Sequence, residues 1–131
     1  MNKCFMSFLL FLYCFTAVSF ETDGFEQKKF QTAQKNGEII LVDIYANWCS
    51  TCKKQGAEIS ELFKNEKYKN IKIFKLDYDD KNLVNNFSKL IDRPIPRQST
   101  IVVFKGKIII SFSVAETGEK LKEAVDKAVL R

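Results

Sequence analysis

Two cysteines three apart, Cys49 and Cys52, stand just after the apolar run Ile39-Ile40-Leu41-Val42-Asp43-Ile44-Tyr45. A run this short, apolar nearly throughout and rich in β-branched side chains, predicts a strand covered on both faces and central to its sheet. The next stretch, from about Cys49 through Phe63, reads as a helix, so the dithiol falls where a buried strand gives way to a helix start. Unpaired amides and the positive end of the helix dipole favour a thiolate there. Cys52, one turn deeper, is spaced to close a disulfide with Cys49. The pattern therefore predicts Cys49 as an attacking nucleophile and Cys52 as the thiol that resolves a mixed disulfide.

The other two cysteines, Cys4 and Cys14, lie in a segment with a different character. Met1-Asn2-Lys3 is a basic start, followed by a nearly unbroken apolar run from Cys4 to about Phe15 and small residues at Ala17 and Ser19. This is the pattern of a secretory signal peptide over residues 1–19, with a domain over 20–131 exported to a bacterial periplasm; uncleaved, the same segment would be a membrane anchor. Removing it leaves about 110 residues, enough for one compact domain. Cys49 and Cys52 are then the only cysteines, which excludes a scaffold of several bridges. The chain has no histidine and both methionines lie in the signal segment, so soft metal ligands are scarce.

The formal charge of +5 is carried by lysines scattered among acids rather than gathered in a run. A nucleic-acid footprint would be clustered, and no nucleic-acid partner is expected. Lys53 and Lys54 raise the local potential beside the thiols.

Apolar spacing outlines the rest. Thr22 to Lys35, with Phe25, Phe30 and Ala33, reads as a first amphipathic helix capped by Asp23. The dithiol helix offers Ala57, Ile59, Leu62 and Phe63 to a core, and a polar turn follows from Lys64 to Asn70. Ile71 to Tyr78 alternates as a second strand. Asp79-Asp80 caps a helix carrying Leu83, Val84, Phe87, Leu90 and Ile91. After a loop with Pro94 and Pro96, Thr100–Phe104 and Ile108–Val114 flank Lys105-Gly106-Lys107 so closely that they can only form an antiparallel hairpin. Thr117 to Leu130 is a last helix with Leu121, Ala124, Val125, Ala128 and Val129 on one stripe. The order αβαβαββα predicts an α/β fold with a mixed central sheet and helices on both faces.

Within that order, Val42-Asp43-Ile44-Tyr45-Ala46-Asn47-Trp48-Cys49-Ser50-Thr51-Cys52-Lys53 resembles the active-site segment of thioredoxins, and Thr100 to Lys107 resembles their later hairpin. The likeness extends over nearly all of the chain after the signal segment. It implies a thioredoxin-like three-layer sandwich, a thiol–disulfide oxidoreductase whose only cofactor is its own dithiol, protein disulfides as substrates, and a membrane or soluble thiol as electron donor, in a monomer. It further implies that Asp43 relays a proton to or from Cys52, and that Lys75 matches the lysine that pairs with this aspartate. An unpaired carboxylate in an apolar strand costs several kcal/mol, so Asp43 needs such a reason to be there. Trp48 beside the thiols suits a docking surface for an extended substrate. Ser50 and Thr51 bring hydroxyl dipoles and no cation, which points to a reducing rather than an oxidising couple.

The sequence departs from the family opposite the thiols. Ser99 aligns where thioredoxins carry a cis-proline, and Pro94 and Pro96 precede it by several residues, so either an insertion displaces that proline or Ser99 and Thr100 form the substrate-facing turn. A cis bond before serine would cost about 2.5–4 kcal/mol, and a trans bond is expected. Because that proline limits metal access in its family, its loss keeps open a dithiolate that handles Cu(I) or zinc, with a second copy supplying the missing thiols. A non-catalytic binding module of the same fold is the third reading.

Overall fold

The structure, a computed structural model, describes residues 23–131; the predicted signal segment lies outside them. Five strands form one sheet in the order β1-β3-β2-β4-β5. These are β1 (Asp23–Gly24), β2 (Ile39–Tyr45), β3 (Lys72–Asp77), β4 (Thr100–Lys105) and β5 (Ile108–Val114). β1 and β2 flank β3 in parallel, while β4 runs antiparallel to β2, and β5 to β4. Helices α1 (Gln27–Lys35), α2 (Ser50–Leu62), α3 (Lys81–Leu90) and α4 (Glu119–Val129) cover both faces, giving the expected three layers.

Side-chain alternation divides the core in two. On β2, Ile40, Val42 and Ile44 point to one face and meet Phe30 and Ala33 of α1 and Val84 and Phe87 of α3. Phe25, Phe30, Phe74, Phe87 and Phe104 meet there largely edge to face, at centroid separations from 5.1 to 6.5 Å. That is the arrangement the ring quadrupole favours. Leu41 points to the opposite face and joins Ile59 of α2, Leu121 and Val125 of α4, Ile73, Ile101 and Val103. By the same period of two, Asp43 on β2 and Lys75 on β3 belong to the α2 face, two residues on from Leu41 and Ile73. This parity places the buried acid under the dithiol helix.

Local differences from the sequence reading have physical causes. The first helix was expected from Thr22 with Asp23 as its cap. Instead Asp23 and Gly24 pair with Phe74 and Lys75, and the Phe25 N–H donates to the Lys75 carbonyl at 2.9 Å. The outer edge of β3 would otherwise leave these groups unpaired, and α1 starts at Gln27 after Glu26, with no side-chain cap. Ala57, expected in the core, is exposed, and the inward stripe of α2 is Cys52, Gln55 and Ile59. The expected polar turn holds a short 3-10 turn, Glu66–Tyr68, with Tyr68 buried. Asp80 caps α3 as expected, its Oδ1 accepting from the Leu83 N–H at 3.0 Å.

Candidate active site

Four residues separate the end of β2 from the start of α2, and Cys49 occupies the N-cap of that helix. A cap residue has extended backbone geometry and offers an acceptor to the orphan amides of the first turn. Here the acceptor is sulfur: the Cys52 N–H donates to Cys49 Sγ at 3.1 Å. Cys49 and Cys52 are joined in a disulfide with their Cα atoms 5.3 Å apart. Both are buried and cluster with Ala46, and Tyr45 packs against them. An amide directed at a sulfur, at the positive end of a helix, stabilises that sulfur as an anion once the bond opens.

Asp43 is only 3% exposed, and its Oδ1 has no hydrogen-bond partner. Burial pushes its carboxyl up to about 6, against a smaller opposing pull from the Lys75 cation. Asp43 and Lys75 are paired across the parallel β2–β3 register. The Lys75 ammonium lies 4.5 Å from the centre of the Tyr45 ring and closes no ion pair on Asp43. The lysine expected as the direct partner of Asp43 therefore acts on it through space.

Trp48 is 64% exposed, so it contributes surface and little core. Its Nε1–H donates to Asp79 Oδ2 at 3.0 Å, which fixes the ring against the loop before α3. Ser99 and Thr100, expected to face the substrate, are instead fully buried where β4 begins, and it is the exposed Arg97 and half-buried Gln98 just before them that reach the surface. No peptide bond among the described residues is cis, so the Gln98–Ser99 bond is trans as expected. Ser99 adopts φ +61°, the left-handed region that a residue with a Cβ enters only at a cost. Its hydroxyl donates to the Gln98 carbonyl, Thr100 Oγ1 donates to the Arg97 carbonyl at 2.7 Å, and the Ser99 carbonyl accepts from Ala115 N–H at 2.8 Å.

One residue of this region was missed in the sequence. Gln55 is 0% exposed and sends Nε2 to the carbonyls of Ser99 (3.2 Å) and Glu116 (2.9 Å). The signal was available: Cys52, Gln55 and Ile59 lie at helical spacing, and that stripe puts a polar amide inside. Among the described residues no group of three or more histidine, cysteine, aspartate or glutamate side chains could hold a metal. Nor is any helix there long and apolar enough to cross a membrane.

Fold and dithiol together define a class, and comparison with known proteins agrees. Residues 21–127 match the family model described as Thioredoxin, and the chain belongs to the thioredoxin family. Among curated relatives, the thiol-disulfide oxidoreductase ResA of Bacillus cereus is 31% identical over 100 residues, covering 75% of this chain. The chain spans 56% of the length of that relative. The H-type thioredoxin of Fagopyrum esculentum is 40% identical over 53 residues, covering 40% of this chain and 44% of its own. The crystal structure of Trxlp from Edwardsiella tarda superposes with a TM-score of 0.68 at 25% identity, covering 81% of this chain and 96% of that one. The solution structure of oxidised Plasmodium falciparum thioredoxin shares the fold, with a TM-score of 0.65 at 22% identity, covering 83% and 99%.

Proposed function

We propose that this protein is an exported thiol–disulfide oxidoreductase that reduces protein disulfides through Cys49 and Cys52. The observation that carries the reading is the disulfide at the N-cap of α2, with the Cys52 amide directed at Cys49 Sγ and a buried carboxylate on the sheet face below. The presence of ResA and thioredoxins among its relatives supports it. Export rests on the basic start and apolar run of residues 1–19.

In the reduced protein the Cys49 thiolate attacks one sulfur of a substrate disulfide, forming a mixed disulfide and releasing the other substrate sulfur as a thiolate. Cys52 gives its proton to the Asp43 carboxylate and attacks Cys49 Sγ. This releases the second substrate thiolate and closes the Cys49–Cys52 bond. Two electrons pass from the dithiol to the substrate, so a thiol donor must reopen the bond before the next cycle. An Asp43 carboxyl that titrates near 6 holds a proton loosely enough to exchange it close to neutral pH. Trp48, with Arg97 and Gln98 just before the buried Ser99–Thr100 turn, forms the surface on which an extended substrate segment lies.

Reduction of insulin disulfides at the expense of dithiothreitol tests this reading. Turnover that survives a chelator and disappears in Cys49→Ser supports it. Stoichiometric metal after purification, with no turnover, would replace it with the metal-handling reading.

A further inference from the structure

Two residues with a Cβ, Ser99 and Ala115, sit in the left-handed region at φ +61° and +58°, and they are bonded to one another through Ala115 N–H and the Ser99 carbonyl. Each such conformation is strained and persists only where its surroundings over-determine it. The surroundings here come from the dithiol helix. Gln55, one turn beyond Cys52, donates one amide proton towards Ser99 O and the other towards Glu116 O, the residue after Ala115. A second side chain of α2, Glu58, holds the same loop from its exposed rim, its Oε2 accepting from the Gly118 N–H at 2.8 Å.

The amide of Gln55 is satisfied on its donor side only. Its Oε1 is buried without a partner, an arrangement that costs stability. Leucine or methionine, of similar size, would fill the place without that cost. Little in the packing of α2 therefore calls for glutamine here, whereas the two donated bonds tie three segments together: the helix that carries the thiols, the Ser99 turn, and the loop joining β5 to α4.

Resting on the oxidoreductase reading above, we infer that Gln55 is a positioning residue that fixes the buried Ser99–Thr100 turn against the dithiol helix, and with it the Arg97–Gln98 surface just before that turn, and so sets the affinity for extended protein disulfides. It does not touch the reacting sulfurs. Its removal loosens the surface on which a polypeptide must lie and leaves the electron-pair chemistry of Cys49 and Cys52 as it was. A small disulfide, which needs no such surface, is indifferent to it.

The test compares Gln55→Leu with the wild-type full chain on insulin and on glutathione disulfide. The expected result is a rise in KM for insulin of about tenfold, the loss of two modest hydrogen bonds. The kcat for insulin, the rate with glutathione disulfide, and the reduction potential stay unchanged. An equal loss on both substrates, a displaced potential or an unchanged KM overturns the inference. Gln55→Met, also without a donor, repeats the test if the leucine variant does not fold. Native-state hydrogen exchange at the Ala115 amide separates this inference from the reading beneath it. Faster exchange in the variant supports the clamp even if the wild type reduces no disulfide; unaltered exchange overturns it whatever the activity.

Discussion

Asp43 and Lys75 face one another across the β2–β3 register, yet the ammonium of Lys75 rests over the ring of Tyr45, and Asp43 Oδ1 stays without a partner. A carboxylate that met its cation directly would be held well ionised. The detour through Tyr45 leaves desolvation dominant, and the carboxyl is pushed up to about 6. The same Tyr45 packs against the dithiol, so the cation and the sulfurs share one ring as neighbour.

Asp43→Asn should slow resolution of a mixed disulfide more than the first attack, because only the second step needs a group to take the Cys52 proton. Stopped-flow measurement of the two phases with a trapped substrate decides it. Equal slowing of both phases would count against the relay.

The same substitution should stabilise the oxidised protein, in a pH-dependent way. The folded Asp43 titrates near 6, above the ordinary 3.8, so the fold favours its protonated form. Stability from this group is complete below about pH 3.8 and is lost as the pH rises through 6. Keeping the charge buried at pH 8 costs on the order of 3 kcal/mol. Urea unfolding should therefore show Asp43→Asn more stable than wild type at pH 8 and nearly equal to it at pH 4. A gain that does not change with pH would mean that burial of the charge is not its cause.

Lys75→Met removes the one cation that holds the Asp43 carboxyl down, and should move it further up. The pH at which the resolving step reaches half its maximal rate should then shift to the alkaline side. A profile that stays in place, or moves towards acid, would show that Lys75 does not act on Asp43.

At the far end of α2, Asp126 gathers three donors: Lys67 Nζ and Tyr68 Oη on Oδ1, both at 2.7 Å, and Lys122 Nζ on Oδ2 at 2.8 Å. The bond from Lys122, then those from Lys67 and Tyr68, hold its carboxyl well below the usual range. Its contribution is thus present above about pH 4 and fades as the pH falls below it. Asp126→Asn should lower Tm by roughly 4–8 °C at pH 7, by weakening the tie between α4 and the 3-10 turn. Thermal scans at pH 7 and pH 3 should show the difference shrinking in acid.

Much of this was legible in the sequence because it rests on periodicity and spacing. The run Ile39–Tyr45 could only be a strand covered on both faces, the close pair of runs around Lys105-Gly106-Lys107 could only be a hairpin, and the stripes of α3 and α4 are those observed. The predicted trans bond before Ser99 also stands. What escaped were features settled by tertiary neighbours. Asp23 and Gly24 form a strand because β3 has an open edge, and Tyr68 is buried because α4 comes back over it. Gln55 went unread because its polarity outweighed its place on the stripe Cys52–Gln55–Ile59. The alternation around Lys75 was ambiguous until the register with Asp43 fixed its face.

The central claim, that Cys49 and Cys52 form a reversible two-electron couple serving as a reductant, is tested most directly by equilibrating the metal-free protein with glutathione or dithiothreitol and reading its reduction potential. The account expects a single two-electron transition near or below the glutathione range. A much higher potential would make the protein an oxidant or isomerase, and failure to form a reversible internal disulfide would contradict the redox account altogether.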